Sequence, residues 1–272
     1  MKTQSYWFKI DRKKRGFERY YTNAFAKALF EQIEPILDNW DLMQVPADVI
    51  RAIDNIKEDS MKRVYLDLYR RVGVDFAKIA VEGLKGDGED WELKDDGMNT
   101  LLDNPDSFTW IWATQVESWV LQNVGDRIVT VTATSKAQAK KIVRDIVQQS
   151  FDEGLGAAET MSLLEDRIPI EWRKQRWRAE AIARTEVLTA AHEGSYRGAK
   201  ATGLQLKKRW LARLDGRERE AHAQANGQVR ELDQPYDVGG EPMSRPGDIR
   251  ASAANVVNCR CVEQYIRSDR QI

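Results

Sequence analysis

Between Phe17 and Leu84 apolar side chains return every three or four residues, and that period admits helices and little else. Phe17, Tyr20, Tyr21, Phe25, Leu29, Ile33 and Leu37 predict a helix over Phe17–Trp40. Pro46 suits the first turn of the next helix, where a missing N–H loses no bond, and Val49, Ile50, Ile53 and Ile56 carry the period on. Met61, Tyr65, Leu68, Val72 and Phe76 extend it towards Leu84. Residues 85–106, with Gly86, Gly88, Gly97 and Pro105 among eight acids, predict an acidic loop. Trp110, Trp112, Trp119 and Leu121 then mark an aromatic helix ending near Gly125. Three tryptophans are more aromatic surface than one helix keeps in water, so some should face the core or a partner.

The β-branched run Val129–Thr132 predicts a short strand. Ser135 followed by Gln138 predicts a capping box that opens a helix presenting Ile142, Val143, Ile146, Val147 and Phe151, with Gly154 as its stop. Ala157, Met161, Leu164 and Ile168 predict a further short helix. Glu171–Thr202 reads as one long helix, with Trp177, Ile182, Leu188 and Ala191 available for burial. Its Gly194 and Gly198, four apart, predict close approach of another backbone, at a cost of about 1 kcal/mol of helix propensity each. Gly203 ends it.

After residue 203 the pattern changes. Leu204–Leu211 predicts a strand, Gly216, Asn226-Gly227, Gly239-Gly240 and Pro246-Gly247 predict turns, and Cys259–Ile266 predicts a closing strand. The expected fold is α+β and mainly α: a helical N-terminal region, a long helix and a small antiparallel-sheet C-terminal module. The expected division is 1–128 and 129–272, the second part holding helices over 135–202 and a small α+β part over 204–266.

With 42% hydrophobic residues in 272, the chain can bury one sizeable core or two smaller ones without disulfides. Lys+Arg 42 against Asp+Glu 43 excludes a protein that coats nucleic acid over its whole surface. The neutrality is local imbalance averaged out: net +5 over 1–20, -7 over 82–106 and +6 over 170–220. Solvated surface accounts for such blocks, and the functional alternative is nucleic-acid contact by the basic N-terminus, through Lys13, Lys14 and Arg15, and by the 170–220 segment. No apolar run approaches the roughly 20 residues of a membrane span, and Lys9, Asp11 and Arg12 interrupt any signal-peptide core. No membrane partner is expected. The two cysteines, Cys259 and Cys261, are too close in sequence for a relaxed disulfide, which points to the reducing cytoplasm of the producing cell.

The most informative stretch is the last third. Ile182-Ala183-Arg184-Thr185-Glu186 is followed by Trp210-x4-Asp215-x-Arg217-x-Arg219-x2-His222, Asn226-Gly227, Pro246-Gly247-Asp248 and Asn255-x2-Asn258-Cys259-Arg260-Cys261. This order and spacing, over about residues 136–266, resembles the phage Mu F-like, or minor head morphogenesis, family. The resemblance implies a structural minor capsid protein of a tailed phage rather than an enzyme. It implies action in procapsid assembly near the portal, with portal, scaffold or major capsid protein as partners and packaged DNA as a further contact. It places the chain in the host cytoplasm during assembly and then in the virion head.

Cysteine-bearing relatives carry a set with the look of a zinc site; here Arg219 and His222 stand at the paired-cysteine positions and Val256 where a later histidine would be. His222, Cys259 and Cys261 remain, one ligand short of a tetrahedral set. No cofactor is therefore expected, with zinc the candidate ion, and a hydrogen-bonded turn with two small buried thiols is the alternative. Arg184, Glu186, Asp215, Arg217, Arg219 and Asp248 are expected to form a polar clamp joining helix to module, Arg184 pairing with Asp215 or Asp248. His192 reads as a surface or packing residue. The enzymatic alternative is a phosphodiesterase or ADP-ribosyl-transfer-like site using Glu186, Asp215, Arg217 and His222.

Overall fold

The computed structural model describes residues 2–85 and 105–268, and the side chains of 6–84, 112 and 114–268 within them. Helix α1 spans Lys2–Glu31, starting well before the apolar period becomes visible at Phe17, because Trp7 and Ile10 already bury. A short α2 (Glu34–Asp38) and a single 3-10 turn (Trp40–Leu42) lead to α3 (Pro46–Asp54) and α4 (Asp59–Lys85). The predicted acidic loop falls at 86–104 outside the described residues, while Pro105 and Asp106, assigned to it above, begin the next helix.

That helix, α5, runs Pro105–Asp152 over 48 residues, about 72 Å. It overturns three expectations. It does not stop near Gly125, Val129–Thr132 is not a strand, and Ser135 caps nothing. The reason is burial at helical spacing: Val116, Val120, Val124, Ile128, Thr132, Ser135, Ala139 and Ile142 are all buried, and that stripe outweighs β-propensity. The hydroxyls that favour a strand or cap are absorbed within the helix. Thr130 donates to the Asp126 carbonyl at 2.7 Å and Ser135 to the Val131 carbonyl at 2.9 Å. Trp112 is buried and donates its indole N–H to the Tyr69 carbonyl, and Trp119 packs partly buried beside it. The Trp110 side chain lies outside the described residues.

Gly154, at φ +70, ends α5, and α6 (Ala157–Arg173) follows. The predicted helix over Glu171–Thr202 is two, broken at Lys174–Gln175, with α7 spanning Arg176–Ala201. Trp172 is anchored there by an indole bond to the Leu29 carbonyl at 2.9 Å, whereas Trp177, expected inside, is 63% exposed. The glycine expectation holds. A Cβ on Gly194 would lie 2.1 Å from the Gly73 carbonyl oxygen, and one on Gly198 2.7 Å from that of Ala77, so α7 and α4 touch backbone to backbone.

The last third adds β1 (Leu206–Leu211), α8 (Glu220–Ala225), β2 (Val229–Glu231), β3 (Tyr236–Val238), β4 (Glu241–Met243), α9 (Ala253–Val256) and β5 (Val262–Arg267). β1 pairs antiparallel with β2 and β5, Leu206 opposite Arg267 and Leu211 opposite Val262, and β3–β4 form a separate hairpin. Its Gly239 and Gly240 both take positive φ, the conformation a two-residue hairpin turn demands. The architecture is α+β and mainly α, with small antiparallel sheets near the C-terminal end.

The boundary expected at 128/129 has no counterpart in the backbone, since α5 passes through it unbroken. One core takes Tyr21 and Phe25 from α1, Tyr69 and Val72 from α4, Val120 and Val124 from α5, Ala183 and Val187 from α7, and Val262 from β5. A second core packs Ile36, Trp40, Val49, Ile53, Ile142 and Trp172.

Candidate functional site

His222 sits on α8, a helix of six residues packed behind β1, with the Trp210 ring edge-on to its imidazole at 5.8 Å. Cys259 follows α9 and Cys261 immediately precedes β5; both are buried and reduced. Asn258 between α9 and Cys259 takes φ +57, and its amide donates to Thr185 Oγ1 on α7 at 3.3 Å. That left-handed step brings both sulfurs to one imidazole nitrogen. His222 Nδ1 lies 3.3 Å from Cys261 Sγ and 3.5 Å from Cys259 Sγ.

The other imidazole nitrogen fixes the tautomer. Glu241 can only accept, so the Asn255 amide turns its nitrogen to Glu241 Oε2, at 2.6 Å, and its oxygen to His222 Nε2, at 3.3 Å. Nε2 therefore donates, and Nδ1 offers its lone pair to the thiols. The hydrogen bond with Cys261 holds the Cys259 thiol below its ordinary range, against the cost of burial. Cys261, bonded to Cys259 and buried, is pushed up.

This donor set fits three corners of a zinc tetrahedron. Metal bonds of about 2.3 Å to sulfur and 2.05 Å to nitrogen give an N–S edge of about 3.5 Å, close to the spacing found here. The three ligand atoms lie within 4.8 Å of one another, and no fourth His, Cys, Asp or Glu among the described residues joins them. The same contacts satisfy the metal-free alternative, a hydrogen-bonded imidazole between two thiols.

The six clamp residues divide into separate sets. Asp215 accepts from Arg260 Nη1 at 2.6 Å and Nη2 at 2.9 Å, from Arg213 Nε at 2.8 Å and from Arg217 Nη2 at 3.2 Å. The Arg260 bond first, and then Arg217, hold its carboxyl well below the usual carboxylate range. Arg260 lies between the two cysteines, so this cluster ties the 211–219 loop to them. Arg219 instead donates to the Val257 carbonyl at 2.6 Å. Asp248 is buried, accepts from the Ser244 and Arg250 amides, and pairs with Arg250.

Arg184 does not form the expected pair: it is exposed, and its contact is Asn258 Oδ1 at 3.4 Å. Glu186, two residues on, points the other way, into the helical core. It is 4% exposed and pairs at 2.8 Å with Arg127 of α5, while the Tyr69 hydroxyl donates to it at 3.0 Å. Burial pushes its carboxyl up, against the pull of Arg127. The buried clamp is therefore helix to helix. Arg127 was missed in the sequence, where nothing local sets it apart from a solvated arginine. Glu186, Asp215 and His222 each have their own partners on different elements, so the residues of the enzymatic alternative do not converge on one cleft.

At the N-terminus, Lys13 pairs with Asp75 at 2.8 Å and Arg15 with Asp11 at 2.7 Å. Lys14 is 1% exposed, which removes it from any phosphate contact. It projects among Glu18, Asp11, Cys259 and Cys261, and burial pulls its ammonium below the ordinary range. His192 is also buried, with Nε2 3.3 Å from the Cys261 carbonyl, and burial, then Lys14, keep it neutral. No helix among the described residues is long and apolar enough to cross a membrane.

Comparison with known proteins bears on residues around this site. A stretch of 126 residues is 28% identical to the NAD(+)--arginine ADP-ribosyltransferase EFV of Enterococcus faecalis (strain ATCC 700802 / V583), covering 45% of this chain and 25% of that protein. The chain thus spans about a quarter of that relative's length. No solved structure matches the chain. Residues 141–264 match the family model described as Phage Mu protein F like protein, and they hold α7, the sheet and the His222–Cys259–Cys261 pocket. Over this segment the chain is similar to the phage Mu F-like family.

Proposed function

We propose that this chain is a structural minor head protein of a tailed phage, acting in procapsid assembly beside the portal. The observation that carries the reading is the Mu F-like match over 141–264, which takes in every motif of the last third from Arg184 to Cys261. The architecture agrees with an assembly role: helices of 27, 30 and 48 residues form its frame, and polar clusters near its C-terminal end tie elements together. Portal, scaffold and major capsid protein are the partners of this reading. The test is co-expression with those three proteins, followed by mass spectrometry of purified procapsids. The chain should appear in the particles, and its complete absence would refute the reading.

The name of the Enterococcus relative supports a second reading, transfer of ADP-ribose from NAD(+) to arginine. Against it stand the separated environments of Glu186, Asp215 and His222. Incubation of the full chain with labelled NAD(+) and an arginine-containing acceptor decides between them, label transfer favouring the enzyme.

A further inference from the structure

Many cations on this surface have a carboxylate of their own: Arg15 has Asp11, Arg63 has Glu31, Arg71 has Asp67, Lys141 has Asp145. Four arginines along one groove do not. Helices α1 and α7 lie side by side and antiparallel, held by Arg176 Nη2 donating to Asn23 Oδ1 at 2.7 Å and, just beyond, by Trp172 on Leu29. Two hollows of about 380 and 350 Å³ follow this seam and meet at Arg176. Arg19, Arg176 and Arg184 line the first, Arg173 and Arg176 the second.

All four arginines are exposed, and among the described residues none makes an ion pair. The partners of three are neutral: Asn23 for Arg176, Asn258 for Arg184, and the Phe30 ring, 5.5 Å from the guanidinium carbon, for Arg173. Glu18 and Glu180 are the carboxylates of the groove, two against four arginines; burial pushes that of Glu18 up, against the pull of Lys14 and then Arg184. Neutral acceptors orient a guanidinium without cancelling its charge, leaving donors in a fork that suits phosphate. The eight steps from Arg176 to Arg184 cover about 12 Å of helix, a length over which duplex DNA carries about seven phosphate charges.

We propose that the α1–α7 groove docks a nucleic-acid backbone, with Arg19, Arg173, Arg176 and Arg184 as its phosphate contacts. The inference rests on the head-protein reading for the source of the nucleic acid, packaged DNA, and on the groove alone for the chemistry. It also moves the phosphate contacts off Lys13, Lys14 and Arg15 and onto the basic 170–220 segment, with Arg19. The N-terminal cations named from the sequence are paired or buried, whereas these are neither. Trp177, which follows Arg176 in the chain and is 63% exposed, lines neither hollow but is a fluorescent reporter beside them.

The test is anisotropy of a labelled 30-base-pair duplex titrated with the full chain at a series of salt concentrations. Wild type should bind with a steep salt dependence. The triple variant Arg173→Gln, Arg176→Gln, Arg184→Gln should flatten the log–log slope by about 2.7, at ~0.9 per phosphate, and weaken binding at 0.1 M salt at least about tenfold. Lysines at the same three positions should keep the slope, which separates lost charge from lost folding. Arg144→Gln, an exposed arginine on α5, should leave binding unchanged. Docked DNA should quench the Trp177 contribution, read as the difference from Trp177→Phe. Wild type that fails to bind, or a glutamine triple variant that keeps its slope, would overturn the proposal. The glutamine variant should still enter procapsids. Wild type missing from procapsids while binding DNA through the groove would refute the head reading and leave this one standing.

Discussion

Removing the Arg127 guanidinium should destabilise the fold far more than removing that of Arg184, although only Arg184 belongs to the conspicuous motif. Glu186 is 4% exposed and Arg127 25%, with 2.8 Å between them. Breaking a buried pair by deleting one partner costs ~3–5 kcal/mol, because the other charge stays behind in a poor solvent. In Arg127→Ala the residual carboxylate keeps the Tyr69 hydroxyl as a donor, which puts the expected loss near the lower end, about 3 kcal/mol. Glu186→Gln strands a guanidinium that already reaches water, so about 1–2 kcal/mol is expected. Arg184→Ala removes an exposed side chain with a single 3.4 Å contact and should stay within about 0.5 kcal/mol.

Arg127 Nη1 is buried without an acceptor, so the pair is not optimised for stability. Replacing both partners by Arg127→Met with Glu186→Leu should therefore recover most of the loss, giving a coupling of opposite sign to the single effects. The assay is urea unfolding followed by far-ultraviolet circular dichroism, with midpoints compared at constant slope. Arg184→Ala costing as much as Arg127→Ala would refute the reasoning, as would an Arg127→Ala midpoint equal to wild type.

The α4–α7 contact predicts opposite outcomes for two glycines in helices. Gly194→Ala should lose at least about 1–3 kcal/mol by forcing the helices apart, while Gly125→Ala, whose added Cβ meets nothing within 4 Å, should gain up to about 1 kcal/mol; both are read by thermal melting. Reduced protein given one equivalent of Zn²⁺ should bind it at His222, Cys259 and Cys261, raising the melting temperature, and Cys261→Ser should abolish the rise; an unchanged melting temperature would leave the hydrogen-bonded pocket as the whole account. The depressed carboxyl of Asp215 contributes stability that is present above its unfolded value near 3.8 and lost as pH falls through the lower folded one. Asp215→Asn should accordingly flatten the acid limb of the stability curve below about pH 4, and an unaltered limb would show that the arginines around it contribute nothing to folding.

The helices of the first third were legible because an apolar period of three to four is a backbone property written directly into side-chain type. Gly194 and Gly198 were legible for the same reason, as a gap at helical spacing can only admit another backbone. The course of α5 was not. Its Val129–Thr132 run has the local preference of a strand, and what overrules it is burial of Ile128 and Thr132 against elements over 60 residues away in the chain. The site divides likewise. The approach of His222 to both cysteines followed from motif order, whereas the partner of Glu186 did not, since nothing local distinguishes Arg127 from a solvated arginine. Lys14 shows the limit best: a charge block at a terminus reads as surface, yet one of its lysines lies within the fold.

That lysine also shows why the Mu F-like segment is not a self-sufficient unit. Residues 141–264 include α7, yet the core around Ala183 and Val187 is completed by Tyr21, Phe25, Tyr69 and Val72, all upstream of the matched stretch. Three turns of α1 fasten to the last third. Tyr6 donates to the Glu263 carbonyl at 3.3 Å, Asp11 approaches Arg213 at 3.9 Å, and Lys14 is buried beside Cys259 and Cys261. One turn further along α1, Glu18 and Arg19 enter the arginine groove, and across it Arg184 reaches Asn258, the residue before Cys259. The thiol pocket and the groove are thus neighbours sharing one helix.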